Sequence, residues 1–191
     1  MPSFFSNFTT LPQTSLRRTV WLAFLILATI GLSLSFNCAT PFVALAAAAA
    51  LSLPRNTAIL FVLSAWVVNQ AVGFGILGYP TDSTTLTWGG IMGICAVASA
   101  IIASFAANRS TEFSAFNRIA ITFIAAFIGF QGTLLIGNLY MIGGLDAFTL
   151  SSKIFIAKVN IIALAALWGA NRLATMAGIL HAPQPTGTVT A

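Results

Sequence analysis

Seven side chains capable of strong hydrogen bonding or of carrying charge lie inside the apolar stretches of this chain: Asn37, Asn69, Gln70, Gln131, Asn138, Lys158 and Asn160. Amides both donate and accept, and a lysine adds three donors and a fixed positive charge. Gathered at one depth, with Tyr79 and Trp88 near the mouth, these groups suit a small polar ligand bearing a carboxylate or similar anion. Dispersed, they tie helices together through hydrogen bonds of about 1 kcal/mol each. The missing groups are equally informative. No Asp, Glu or His falls inside an apolar stretch, so the coupled proton of a conventional porter has no titratable site. Hydroxyls without a neighbouring acid or base do not make a hydrolase, and the chain reads as a non-enzyme. The single histidine, His181, lies beyond the last stretch, which disfavours haem ligation. Cys38 and Cys95 have no metal-ligand spacing, and no cofactor is expected. Without a G-x-x-x-x-G-K-[ST] loop, energy from ATP has to come from another subunit.

Helices in a bilayer must position these groups. Of the 191 residues 58% are hydrophobic and 6% charged, with a mean hydropathy of +0.96. Charged residues make up about a quarter of an ordinary globular sequence, because a water-facing surface needs them, so most of this surface faces lipid. The net charge of +5 then reports loops on the cytoplasmic side rather than a nucleic-acid partner. A hydrocarbon core of about 30 Å takes about 20 helical residues. Apolar blocks separated by proline, glycine and charge predict spans over Thr19 to Cys38, Pro41 to Leu53, Thr57 to Leu77, Leu86 to Ala107, Asn117 to Asn138, and Ile154 to Leu173. The second would be only about 20 Å long, a short crossing or a re-entrant half-helix.

Charge chooses between these. If the second segment crosses, Arg17, Arg18, Arg55, Arg109, Arg118 and Arg172 share one side and only Lys153 and Lys158 lie on the other. If it does not, the split is even, against the bias of cytoplasmic loops for Lys and Arg. The expectation is an all-α bundle of six transmembrane helices over residues 19–180 in a bacterial inner membrane, with both termini inside. Residues 1–18 form a cytoplasmic segment whose Phe4, Phe5, Phe8 and Leu11 can rest on the membrane surface, and residues 181–191 a disordered cytoplasmic tail. All seven polar groups then fall in the outward halves of their helices, and Asp82 and Asp146 in outer loops.

Two further patterns bear on partners and on the site. Ala44, Ala47 and Ala48 belong to an alanine run that leaves almost no side-chain bulk, so another helix can approach closely. That neighbour belongs either to the same bundle or to a partner subunit. Gly73-Phe74-Gly75 with Gly78-Tyr79-Pro80, and Gly143-Gly144, allow sharp reversals beside the polar zone.

Six crossings in about 190 residues, an early alanine-rich helix with Ala44 and Ala48, and outward amides resemble the substrate-binding S component of an energy-coupling factor vitamin transporter. The resemblance covers residues 19–175 at the level of plan. It implies capture of a small metabolite on the outer side for uptake, energised by membrane partners that include an ATPase module. In that family the alanine motif usually lies on the first helix, whereas here it lies on the second. The competing reading is a non-catalytic accessory or assembly subunit of a larger membrane protein complex, with the alanines as an interface and the amides as ties.

Overall fold

A helix made largely of alanine has no polar face to turn to solvent, and this chain surrounds such a helix with longer ones. The computed structural model describes residues 41–142 and 149–176, together with Gly31. The elements are α1 (Phe42–Ser52), α2 (Arg55–Gly75), α3 (Ser83–Arg109), α4 (Ala115–Gly137) with a π-helical turn over Asn138–Ile142, and α5 (Leu150–Met176). No strand occurs among the described residues. α2, α3, α4 and α5 are each long and apolar enough to cross a membrane. Large apolar side chains such as Leu60, Ile94, Ile128 and Ile161 are exposed along them; such a surface is costly in water and ordinary against lipid. The chain is thus an all-helical protein of multi-pass membrane type. The expected first span, Thr19 to Cys38, lies outside the described residues.

α1 is the centre. Every residue from Phe42 to Leu51 is buried, and α1 touches α2, α3, α4 and α5. Methyl-sized side chains let four helices close around one axis, and uniform apolarity is what such a position requires. Ala44, Ala47 and Ala48, expected as a possible partner-docking face, are enclosed by the chain's own helices, with exposures of 0%, 0% and 8%. Small size is spent on internal packing and leaves no outward face. At 11 residues α1 is about 16 Å long, roughly half the length of its neighbours. It ends at Leu53 in extended backbone, a conformation favoured before Pro54, and α2 starts directly after it.

The long helices alternate in direction. α3 and α4 run antiparallel, and the Ser99 hydroxyl donates to Ala126 O at 2.9 Å. α3 begins three residues before the predicted Leu86 because Asp82 caps it, accepting from Thr85 N–H at 3.0 Å. α4 begins two residues before Asn117, where Ser114 accepts from Asn117 N–H at 3.4 Å. Apolar content marks where lipid begins, whereas caps mark where the helix begins. One end of the bundle is basic. There the Arg55 guanidinium lies 4.3 Å from the Phe105 ring centroid, the Arg118 Nε–H donates to Ala107 O at 3.3 Å, and Arg109 closes α3. Asp82 and Tyr79 lie at the opposite end.

Candidate functional site

The reversal between α2 and α3 builds a small cavity at the end away from the arginines. Gly78 adopts a φ of +66°, which a side chain would strain. The loop folds back so that Leu77 N–H donates to Val72 O at 3.0 Å and Tyr79 N–H to Gly73 O at 3.1 Å. The Tyr79 ring then lies directly against Gly73 and meets Phe74 edge-on, at 6.0 Å between centroids and 79° between planes. Across the seam, the Trp66 indole N–H donates to Gly89 O at 2.9 Å and pins α2 to α3. Gly89 also admits the Gln70 amide: a Cβ there would lie 2.7 Å from Gln70 Nε2.

These contacts enclose about 200 Å³, bordered by Asn69, Gln70, Tyr79 and Trp88. Four of the nine residues expected to bind a ligand are thus brought together. Phe42, the first residue of α1, lies beneath them, and Phe74, Met92 and Thr85 complete the wall. The volume is below the roughly 300–1,000 Å³ of pockets for drug-sized molecules, so only a small ligand fits. The Gln70 amide has no hydrogen-bond partner among the described residues. The Thr85 hydroxyl donates to Asp82 Oδ2 at 2.9 Å. That bond and, more strongly, the Thr85 backbone N–H hold the Asp82 carboxyl below its ordinary value of 3.8, because both stabilise the anion. Among the described residues no charged side chain borders the cavity. It offers amide, hydroxyl and indole hydrogen bonding between aromatic faces, a lining for recognition rather than for proton transfer or nucleophilic attack. Among the described residues no group of three or more His, Cys, Asp or Glu side chains is placed to hold a metal.

The remaining expected site residues are elsewhere. Asn160, 2% exposed, accepts from Ala44 N–H at 3.0 Å and donates through Nδ2 to Ile156 O at 2.9 Å. It caps the buried start of α1 from α5, and both ends of its amide are used. Asn138, also 2% exposed, donates through Nδ2 to Leu134 O at 2.9 Å. The Asn138 backbone N–H approaches the same carbonyl, and the ladder loosens into the π-helical turn that follows, as happens where a side chain intrudes on it. Gln131 is half-buried, with Nε2 and Oε1 both shielded and without a partner, and does not border the cavity. Lys158, expected in the site, is exposed on α5 and does not border the cavity. Asn37 lies outside the described residues.

Some of the lining was readable and some was not. Once α3 is a helix, Thr85, Trp88, Gly89 and Met92 fall on one face at i, i+3, i+4 and i+7, and the Asp82-x-x-Thr85 cap fixes the start of that face. Phe42 had no comparable signal, because its role follows from α1 ending short inside the bundle. Compared with known families, curated proteins and solved structures, the chain matches no family model, no curated protein and no solved structure.

Proposed function

We propose that this protein captures a small polar metabolite from the outer side of a bacterial inner membrane for uptake, as a substrate-binding subunit energised by separate partner subunits. The observation that carries this reading is the cavity of about 200 Å³ at which Asn69, Gln70, Tyr79 and Trp88 converge. An unpartnered amide opening into a cavity is expensive unless a ligand or water completes it. The uncharged lining favours a neutral polar ligand over the anionic alternative, for which Lys158 was the expected counter-charge. Six crossings with both termini cytoplasmic put the cavity on the outer side; the grouping of Arg55, Arg109 and Arg118 at the other end supports that orientation. The similarity in plan to S components supplies the expectation of an ATPase module among the partners.

The test is purification in mild detergent, followed by mass spectrometry of what comes with the protein. A small polar compound present near one equivalent, lost from Gln70→Leu, is the expected result. Stoichiometric large subunits, no ATPase and no small molecule would replace this reading with an accessory or assembly role. The commitment of Asn160 and Asn138 to the chain's own backbone favours that role for those two residues.

A further inference from the structure

Another concavity, bordered by described residues, is chemically unlike the cavity at Gln70. It is an open groove of about 430 Å³ along the outer seam of α2 and α3, bordered by Leu63, Trp66, Gly90, Ile94, Ala98 and Ile101 among others. Among the described residues that border it, Trp66 is the one side chain with a polar hydrogen, and that N–H is already given to Gly89 O. A polar ligand therefore finds nothing to bind, whereas a hydrocarbon chain finds a continuous carbon surface. Glycine and alanine on α3 make the groove, since bulkier residues there would level it with Leu63 and Ile94.

The groove leads to a cation. Phe105 follows Ile101 by one turn on the same face of α3, about 6 Å further along the axis, and Arg55 stacks on Phe105 at 4.3 Å. Stacking occupies one face of the guanidinium and leaves its in-plane N–H groups available, the geometry that matches phosphate oxygens. No carboxylate pairs with Arg55 among the described residues. Pro54, at the N-cap of α2, supplies no side-chain cap, so the first backbone N–H groups of that helix, which begins at Arg55, have no intrahelical partner. From Phe105 to Gly90 is about 22 Å of helix, more than the roughly 15 Å half-thickness of a hydrocarbon core. A chain rooted at Arg55 can thus lie in the groove over the whole depth of its leaflet.

We propose that the α2–α3 seam is a binding site for one anionic glycerophospholipid of the leaflet at the arginine end, its phosphate on Arg55 and an acyl chain in the groove. Charge selects the lipid and the groove fixes its position. This inference is independent of the metabolite reading, which concerns the other end of the seam. Native mass spectrometry of the full-length protein, delipidated and titrated with phosphatidylglycerol or phosphatidylcholine of equal chain length, tests it. One phosphatidylglycerol is expected to bind at least tenfold more tightly than phosphatidylcholine. R55Q should bring the two to parity, R109Q should leave the preference intact, and A98F, which fills the groove, should weaken retention of both. Should A98F fail to fold by circular dichroism, the smaller A98L replaces it, because Ala98 borders the groove within the depth of that leaflet. Equal binding of the two lipids by the wild type, or an unchanged preference in R55Q, overturns the assignment. So does a dimer that carries no lipid, which would make a second copy the occupant.

Discussion

The junction of α1 with α5 and the cavity between α2 and α3 are built with the same side-chain chemistry and use it in opposite ways. At the junction, Asn160 accepts from Ala44 N–H and donates to Ile156 O, so that each end of its amide holds a backbone group. At the cavity, Gln70 sits against Gly89, and neither end of its amide has a partner among the described residues. The difference follows from what surrounds each group. α1 starts inside the bundle, behind a proline that offers no side-chain cap. A buried N–H left without an acceptor costs about 1–3 kcal/mol, and Asn160 removes part of that cost. No helix terminus is in need beside Gln70. An intramembrane amide therefore reads as a tie where a helix end requires it, and as a recognition group where space was kept open next to it.

Overfilling the centre of the bundle should cost most. Ala47→Leu adds bulk at a position with no exposure and helices on every side, and about 3 kcal/mol of destabilisation is expected, toward the upper end of overpacking effects. Thermal unfolding in detergent reads this directly. A loss below about 0.5 kcal/mol would mean that α1 is not enclosed. Asn160→Ala should follow at about 1–2 kcal/mol, the range for losing an N-cap. Asn160→Asp keeps an acceptor oxygen and should recover part of the loss, whereas Asn160→Leu should not. If Asn160→Ala instead abolished metabolite binding with unchanged stability, the division between tie and site would collapse.

The same division explains how far the sequence could be read. Hydropathy located α2, α3, α4 and α5 because a bilayer imposes length and apolarity on each span, and the reversals at Gly78 and Pro54 were marked by residue types that few other conformations require. The ends of α3 and α4 were missed by two or three residues because Asp82 and Ser114 act through single hydrogen bonds, which an average over apolar residues does not register. For the candidate site, Asn69, Gln70, Tyr79 and Trp88 border one cavity, since the α2–α3 turn keeps them near one another along the chain. Lys158, Asn160, Gln131 and Asn138 did not join them. Their positions depend on the rotation of α4 and α5 about their own axes, and amide side chains alone do not fix a rotation. The enclosure of α1 was hidden for a similar reason: a run of alanines has no face, so its pattern is the same whether it meets its own chain or another.

Effects confined to recognition come next. Gln70→Leu should lower affinity for the co-purifying metabolite by tenfold or more, about 1.4 kcal/mol per decade, while changing the unfolding temperature little. Gln70 has no hydrogen-bond partner among the described residues, and replacing an unsatisfied polar group with an apolar one of like size is neutral or stabilising. Gln131→Leu should also be neutral or slightly stabilising, yet leave binding intact, because that amide is shielded away from the cavity. A binding defect in Gln131→Leu would enlarge the site beyond the α2–α3 seam.

Asp82 supplies a pH-dependent version of the comparison. Its carboxyl is held below its ordinary value of 3.8 by the Thr85 backbone N–H and then by the Thr85 hydroxyl. A group whose folded value is depressed contributes stability that is fully present above the unfolded value and is lost as pH falls through the folded one. Amide exchange at Thr85 should accordingly be slow relative to its neighbours at pH 5 and above, and should accelerate as the pH drops below about 4. In Asp82→Asn the side-chain oxygen still caps α3, but the acceleration should vanish. Exchange at Ala44, capped by the neutral Asn160, should show no such transition in either protein.

Lys158→Ala should do least, and for that reason tests the comparison most sharply. A lysine in an apolar stretch, one residue from Val159 and two from Asn160, invites a role in holding an anion. Its neighbours Val159 and Asn160 are buried, however, while Lys158 itself is exposed on the other side of α5. Successive helical residues lie about 100° apart, so this placement turns Lys158 off the face of α5 that packs on α1, and it does not border the cavity. Removal of an exposed side chain changes stability by no more than about 0.5 kcal/mol, and the metabolite should be retained as well as by the wild type. Selective loss of an anionic ligand in Lys158→Ala, with folding unchanged, would restore the lysine to the site and require α5 to rotate by more than a quarter turn about its own axis. The carboxamide that holds Ala44 would then leave α1 without its cap, so the same experiment has a structural check: Asn160→Ala would cease to be destabilising.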